Sequence, residues 1–220
     1  MKEIVLIGSS SELALEFIKI LSINEEFKIH TISSKSNSKQ TLLVDEYIKE
    51  HEKIIKYIEE INNPYIIFFN GFLKENRPNY YPNTEEILKT FRINYKIPLF
   101  LTKKIAIKNK NAKFVYISSM AVVKYRDKNY IYGIAKAMLE TKIKQMDINY
   151  LILRFGKIKT KMSESHGDPP FSLNKSNAAL RILKLLDKEK IIYPTNGLKV
   201  MSIFLKVLPL KILNFLEKIF

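Results

Sequence analysis

The sequence contains no cysteine and only three histidines among its 220 residues. Without cysteine the chain has no disulfides, no thiolate nucleophile and none of the cysteine-based zinc or iron–sulfur sites. The histidines, His30, His51 and His166, have no helical ligand spacing. We therefore expect no metal site.

Long apolar runs are also absent. The N-terminus has four consecutive apolar residues before Gly8, which is too short for a signal-peptide core and is typical of a first strand. No stretch approaches the roughly 20 apolar residues of a transmembrane helix. The sequence thus predicts a cytoplasmic protein, and its length suits one α/β domain.

The net charge of +15 is unevenly distributed. Residues 1–88 contain 10 Lys and Arg against 14 Asp and Glu, whereas residues 89–161 contain 18 against 3. Such a basic block is typical of proteins that bind phosphorylated ligands, anionic lipid or nucleic acid, and equally of a solvated face that maintains solubility. The lysines are scattered over several predicted elements without a reader motif, so we expect no nucleic-acid partner.

Strand-like runs alternate with helical periodicities along the chain. Strands are predicted at 2–7, 28–33, 41–45, 65–69, 113–117, 150–155 and 190–193, and helices at 11–21, 47–61, 84–108, 130–145 and 177–186. This alternation predicts an α/β fold with a doubly wound parallel sheet, the Rossmann fold. We place this single domain at residues 1–198, and Pro98 is expected to kink its longest helix.

Glycines follow two of the predicted strands. Gly8 opens the segment GSSSELA after the first strand, where a tight turn and the amides at a helix N-terminus can face a pyrophosphate. Asn70 and Gly71 end the fourth strand, at the edge where doubly wound sheets bind ligands. Each segment alone is also compatible with an ordinary turn.

A tyrosine and a lysine four residues apart, Tyr132 and Lys136, share one face of a predicted helix. A phenol with its ordinary pKa near ~10 exchanges protons poorly at neutral pH, and a neighbouring ammonium lowers that pKa. Ser119 comes just after the preceding predicted strand and could donate to a substrate carbonyl. The alternative is a partly buried tyrosine beside a surface lysine.

The order of these features resembles the short-chain dehydrogenase/reductase family over residues 1–195. Asn94 in the long helix belongs to the same order, and residues 153–160, LRFGKIKT, are similar to the family's Pro-Gly-x-x-x-Thr segment. The sequence departs from the family at Glu12 and Ala14, which replace glycines, at Phe155, which replaces proline, and at Phe69-Asn70, which replaces Asn-Ala.

The resemblance implies a role for each matching position. Tyr132 would be the acid–base, Ser119 would orient the substrate, Lys136 would lower the tyrosine pKa, and Asn94 would hold a backbone kink and a proton-relay water. The dinucleotide would be held by Gly8, Ser10, Ser11, Glu12, Leu13, Ser33, Ser34, Lys35, Asn70, Gly71, Tyr132, Lys136, Phe155, Gly156 and Thr160.

The end of the second strand bears on the choice of cofactor. An acidic residue there would bind the ribose hydroxyls of NAD. The segment instead contains Ser33, Ser34 and Lys35, which supply hydroxyls and a cation for a ribose phosphate. NADP is therefore the expected cofactor, with NAD as the alternative.

Residues 199–220 form a basic, apolar tail in which Lys199, Ser202 and Lys206 follow one helical face. This tail could pack on its own domain, form the interface of a dimer or tetramer, or lie on the inner face of the cell membrane. The basic block favours the membrane, because it adds attraction to anionic lipid.

With its Leu-Pro break, the tail resembles that of the reductase subunit of decaprenylphosphoryl-ribose epimerase. This resemblance implies a lipid-linked or nucleotide-linked keto-sugar substrate in cell-envelope polysaccharide synthesis. Two alternatives stay open: a non-catalytic dinucleotide-binding scaffold protein, and a ketoreductase of fatty-acid or secondary metabolism.

Overall fold

The computed structural model describes residues 1–36, 41–74, 80–164 and 167–212. The strands are β1 (Lys2–Ile7), β2 (Phe27–Ser33), β3 (Leu42–Leu43), β4 (Tyr65–Phe68), β5 (Lys113–Ser119), β6 (Asn149–Phe155) and β7 (Lys190–Ile192). The helices are α1 (Glu12–Leu21), α2 (His51–Glu59), α3 (Thr84–Phe91), α4 (Ile97–Lys108), α5 (Tyr130–Lys144), α6 (Lys175–Leu185) and α7 (Asn196–Val207).

All seven strands lie parallel in one sheet, in the order β3-β2-β1-β4-β5-β6-β7. The order reverses direction between β1 and β4, which creates the crevice where doubly wound sheets bind ligands. The prediction of a doubly wound parallel α/β fold is confirmed.

The two faces of β1 show how the sheet is covered. Val5 and Ile7 belong to a core that includes Ile54 of α2 and Leu101 of α4. Ile4 and Leu6 point the other way, into a second core that contains residues of α1 and α6. The alternation follows from the two-residue period of a strand, and helices on both faces bury the central strands of the sheet.

The long helix predicted at 84–108 is divided into three parts. A π-helical turn at Arg92–Lys96 separates α3 from α4, and the amide of Ile97 donates to the carbonyl of Arg92. Pro98 has no N–H with which to continue the α-helical ladder. The Asn94 carbonyl, four residues before Pro98, therefore has no α-helical donor, and the Asn94 carboxamide donates to the Thr90 carbonyl at 3.0 Å, so the irregularity involves both Asn94 and Pro98.

The start of the C-terminal tail is helical and docks on the domain. α7 begins at Asn196, so the domain boundary placed after residue 198 falls inside this helix. Leu198 and Ser202 are buried, whereas Lys199 and Lys206 are exposed, so Ser202 lies on the docked face and not on the lysine face. Residues 213–220 lie outside the described part of the chain. No helix in the described residues is both long and apolar enough to cross a bilayer.

Candidate active site

The sequence-predicted residues gather at the carboxyl edge of the sheet. Ser33, Asn70, Ser119 and Gly156 stand at or just after the ends of four strands, and Gly8 follows β1 between them. The parallel strand order brings together residues that are far apart in the chain. The site therefore spans the reversal point of the sheet.

The backbone at Gly8 requires glycine. Its φ is +82°, in the left-handed region, and a Cβ there would lie 2.9 Å from the backbone nitrogen of Asn70. Ser11 caps α1 by accepting from the amide of Ala14 at 3.3 Å. The amides of Glu12 and Leu13, in the first helical turn, have no partner within the helix and are free to face an anion. The Leu13 side chain itself is in the core, so only its backbone can serve the site.

Glu12 connects this turn to the segment after β6. Its carboxylate accepts from the amide of Lys161 at 2.8 Å and from the ammonium of Lys175 at 2.8 Å. The hydrogen bond from Lys175 lowers the pKa of Glu12, so the carboxylate is charged at neutral pH. Thr160, the predicted phosphate contact, caps the short turn Lys161–Ser163. A negative charge thus stands where the family resemblance implies a glycine.

Asn70 and Gly71 form the floor beside the glycine turn. The Oδ1 atom of Asn70 is buried and has no hydrogen-bond partner among the described residues. A Cβ on Gly71 would lie 3.2 Å from Cε of Met162, which comes from the segment after β6. An unpaired buried acceptor costs about 1–3 kcal/mol, and a ligand that donates a hydrogen bond to the Asn70 oxygen would remove that cost.

Tyr47 belongs to this floor, although the sequence analysis treated it only as part of an amphipathic helix. The residues from Tyr47 to Glu50 form a turn ahead of α2, and the Tyr47 ring is buried. Its hydroxyl contacts the carboxamide of Asn70 and the backbone of Gly8 and Ser34, while burial raises its pKa. Apolar spacing alone cannot distinguish a core tyrosine from one that closes a crevice.

The end of β2 has no acidic side chain. Ser33 is fully buried, and its hydroxyl accepts from the amide of Lys35 at 3.1 Å. Ser34 and Lys35 are exposed. Ser34 and Lys35 can therefore reach a ligand from the surface, which the expected contact with the ribose phosphate of NADP requires.

The acid–base group lies where β5 meets α5. Tyr132 is partly buried, and its hydroxyl hydrogen-bonds the side chain of Ser119 at the strand end. Gly133 allows this approach, because a Cβ there would lie only 2.8 Å from the carbonyl oxygen of Ala121. Burial raises the pKa of Tyr132 to about 12, and the bond from Ser119 opposes this rise only in part. The phenol is therefore protonated at neutral pH.

Lys136 lies beside the Tyr132 ring but is not among the causes of the pKa shift of Tyr132. Its ammonium is buried and donates to the carbonyl of Ile117 at 3.0 Å, and Nζ lies 5.8 Å from the centre of the Tyr132 ring. Desolvation lowers the pKa of Lys136 to about 8. In this protein the pKa of the tyrosine is thus raised by burial rather than lowered by the lysine.

Behind Lys136 lies a buried ion pair that the sequence analysis missed. Glu140, one helical turn further along α5, accepts from Ser118 Oγ at 2.6 Å and pairs with the guanidinium of Arg154. Arg154 also donates to the Tyr193 hydroxyl at 2.9 Å. The Glu140 carboxylate raises the pKa of Lys136 against the desolvation. The sequence feature that could have indicated this ion pair is an acidic residue among the apolar positions of α5.

Asn94 is fully buried in the π-helical turn. Its carboxamide donates to the carbonyl of Phe72 at 2.7 Å and accepts from the Phe72 amide at 3.3 Å. The side chain thereby fixes the segment after Gly71, and the turn itself packs against α5. The kink that the resemblance implied is present, and it joins the dinucleotide floor to the helix of Tyr132.

Phe155 is a residue of the hydrophobic core. Its side chain is buried in the core at the end of β6. Gly156, which follows it, lies under α7, because a Cβ there would be 3.0 Å from Cδ2 of Leu198. Phe155 can therefore contribute only backbone to a ligand.

Solved structures share this fold. A short-chain dehydrogenase from Burkholderia cenocepacia in complex with NADP superposes with a TM-score of 0.77 over 94% of this chain and 95% of its own, at 13% identity. The carbonyl reductase Sniffer of D. melanogaster has a TM-score of 0.70 over 88% and 97% of the two chains, at 18% identity. The enzyme WbmH from Bordetella bronchiseptica in complex with NAD+ has a TM-score of 0.68 over 92% and 79%, at 12% identity.

The chain has the fold of the short-chain dehydrogenases, as the order of its motifs predicted. No protein-family model matches the sequence, and no curated protein is similar to it.

Proposed function

We propose that this protein is a short-chain dehydrogenase/reductase that reduces a carbonyl group with a nicotinamide dinucleotide. The observation that carries the proposal is the joint placement of Ser119, Tyr132 and Lys136 at the end of β5, in the crevice next to the Gly8 turn. A scaffold protein that only bound a nucleotide would not need a phenol and a serine hydroxyl aimed at one point.

The crevice fits a dinucleotide. The Gly8 turn and the first amides of α1 suit a pyrophosphate, and the unpaired Oδ1 of Asn70 is available to a donor from the ligand. Ser34 and Lys35 favour a ribose phosphate, so we propose NADP rather than NAD. Three of the similar structures were crystallised with NADP or NADPH and one with NAD+, so the fold accepts either cofactor.

When bound, the cofactor supplies a hydride to the carbonyl carbon. The residues of this chain do the rest. Ser119 donates a hydrogen bond to the substrate oxygen and so stabilises its developing negative charge. Tyr132 is protonated at neutral pH and transfers its proton to that oxygen. Lys136 stands behind the tyrosine as a cation below about pH 8.

For the substrate, we propose a keto-sugar carried on a lipid or a nucleotide, in cell-envelope polysaccharide synthesis. The similarity of the tail to the epimerase reductase subunit supports this class. The exposed apolar surface of α7 favours the lipid-linked form, because α7 begins against Gly156 beside the crevice. The basic residues of segment 89–161 would complement a phosphate group on the substrate.

Replacing Tyr132 by Phe tests the mechanism. Turnover of an activated dicarbonyl such as diacetyl should fall by at least about 10²-fold, the usual contribution of a general acid. The dissociation constant for NADPH, measured by nicotinamide fluorescence, should stay within a few-fold of the wild type. Full activity in the variant would refute the assignment of the acid.

The cofactor preference is tested separately by steady-state kinetics. We expect kcat/KM to be higher with NADPH than with NADH, and Lys35→Ala to reduce that ratio. A wild-type preference for NADH would reverse the assignment. Lys110→Ala, an exposed lysine in the turn before β5 at the opposite edge of the sheet, is the matched control.

A further inference from the structure

The C-terminal helix α7 has two apolar sides, and the domain covers only one of them. Leu198 and Ser202 are buried against the domain. Val200, Ile203, Phe204 and Val207 are 53%, 59%, 63% and 79% exposed. At about 100° per residue these four side chains span about 100° of the helix surface, opposite the docked side. We call them the outer face of α7.

The apolar surface continues beyond the end of α7. After Pro209, Leu210 and Ile212 are 45% and 46% exposed. Single exposed apolar side chains are ordinary on protein surfaces, whereas six within thirteen residues form a patch that calls for a binding partner.

The charged residues of α7 and of the segment up to Ile212 have one sign. Lys199, Lys206 and Lys211 are all exposed, and no acidic residue occurs between Asn196 and Ile212. Lys199 and Lys206 project about 90–110° from the middle of the outer face, on the same border of it. Long lysine side chains in this position can place their stems along apolar surface and their ammonium groups in a polar layer.

Two occupants fit an apolar helix face: a second copy of this chain and a lipid surface. The outer face is about 12 Å long and about 10 Å wide, or roughly 120 Å², whereas a specific protein interface takes about 800 Å² from each partner. In an antiparallel two-fold contact the lysines of both copies would also lie on the same side. An anionic membrane has no minimum area and complements the lysines.

We propose that the outer face of α7 binds the surface of an anionic membrane. The helix would lie in the plane of the interface, with its apolar side chains at the acyl boundary and Lys199 and Lys206 at the head groups. This contact is independent of the proposed reductase chemistry. It would hold the crevice close to the lipid, because Leu198 packs on Gly156 and the Phe171 ring packs on Gly197.

Vesicle co-sedimentation of the full chain tests the proposal. The probes are vesicles of phosphatidylcholine alone and of phosphatidylcholine with one-third phosphatidylglycerol. We expect the wild type to partition onto the anionic vesicles at least tenfold more strongly than onto the neutral ones, and less strongly as salt increases. The double variant Ile203→Glu/Phe204→Glu should bind the anionic vesicles at least tenfold more weakly than the wild type.

The matched control is Leu88→Glu/Ile107→Glu. These residues are 65% and 70% exposed on α3 and α4, and their replacement changes the net charge by the same amount. The control variant should lose much less binding than the α7 variant. Equal losses would refute the proposal, since they would show that overall charge alone governs adsorption. Absence of wild-type binding to anionic vesicles would also refute it.

Two further measurements on the same proteins exclude other occupants. Analytical ultracentrifugation without lipid should give the same mass for the wild type and the α7 variant. A dimer that the α7 substitutions dissociate would assign the outer face to a second copy and overturn the proposal. The thermal midpoint should also be unchanged, and a marked drop would show that this chain itself covers the face.

Discussion

The substitution Glu140→Gln isolates the electrostatic role of the buried ion pair behind Lys136. Desolvation lowers the pKa of Lys136 to about 8, and the Glu140 carboxylate opposes that effect. Gln keeps the volume and an acceptor for Ser118 Oγ but removes the charge. Without the carboxylate the cationic form of Lys136 is disfavoured, so its pKa falls further.

The size of the expected pKa shift of Lys136 follows from its distance to Glu140. Residues four apart on a helix lie about 6 Å from one another, and two unit charges at that distance attract by roughly 3 kcal/mol at an effective dielectric constant of about 20. This corresponds to a ceiling of about two pH units. Because the Arg154 guanidinium already neutralises part of the Glu140 field, we expect a shift of about one pH unit.

The assay is the pH dependence of carbonyl reduction with NADPH and diacetyl. In the wild type kcat should fall as the pH rises through about 8, because Lys136 then loses the charge that stabilises the phenolate left when Tyr132 gives up its proton. Tyr132 itself stays protonated until about 12, so its own titration does not cause this fall. In Glu140→Gln this fall in kcat, which forms the high-pH limb of the profile, should move to lower pH. An unchanged limb, or one that moves upward, would refute the coupling.

Ser118→Ala is the control for a merely structural effect. It removes the 2.6 Å hydrogen bond to Glu140 but keeps the carboxylate. Its stability should fall by about 1–3 kcal/mol, as for other buried groups left unsatisfied, while its pH limb stays in place. Glu140→Gln itself should lose about 3–5 kcal/mol of stability, because the Arg154 charge is left buried without its partner.

Two further substitutions test the glycine of α5 and the carboxylate of α1. Gly133→Ala should lower the free energy of unfolding in urea by about 1–2 kcal/mol, since the close contact with the Ala121 carbonyl outweighs the better helix propensity of alanine. The control Met138→Ala, at an exposed position of α5, should change that free energy little. A Gly133→Ala variant more stable than the wild type would contradict the contact. Glu12→Gln should bind NADPH several-fold more tightly, because it removes a negative charge from an anion site. It should lose less than about 1 kcal/mol of stability, since the ion pair of Glu12 with Lys175 is partly exposed. Weaker NADPH binding would show instead that Glu12 supports the site.

The strands could be predicted closely because each is a short apolar run bounded by turn residues. The prediction at 2–7 matches β1, and 65–69 exceeds β4 by a single residue. The third strand was predicted over five residues but contains two, Leu42 and Leu43, at the sheet edge. An edge strand has a neighbour on one side only, so its length depends on pairing that the sequence does not display.

Helix boundaries were less predictable where side chains interrupt the backbone ladder. The helix predicted from residue 47 begins at His51, because the Glu50 carboxylate accepts from the amides of Asp45 and Glu46 and holds a turn. Such local competition between side chain and backbone leaves no mark in apolar periodicity. It also turns the Tyr47 hydroxyl into the crevice, which is why that residue was missed.

The site residues were predictable as a set, whereas their electrostatics were not. Spacing places Tyr132 and Lys136 on one helical face. It does not reveal that the lysine ammonium is directed at the Ile117 carbonyl, nor that the tyrosine loses its solvent. The pKa of each group depends on burial, which is a property of the packed structure.

The two perturbed pKa values define the protonation states of Tyr132 and Lys136 at neutral pH. Carbonyl reduction needs a phenol that gives a proton, and alcohol oxidation needs a phenolate that takes one. Burial holds Tyr132 as the phenol up to about pH 12, and Lys136 stays a cation up to about pH 8. At neutral pH both groups are therefore in the states that reduction requires. The same burial makes the free phenol a weaker acid, so its proton transfer depends on stabilisation of the phenolate that forms.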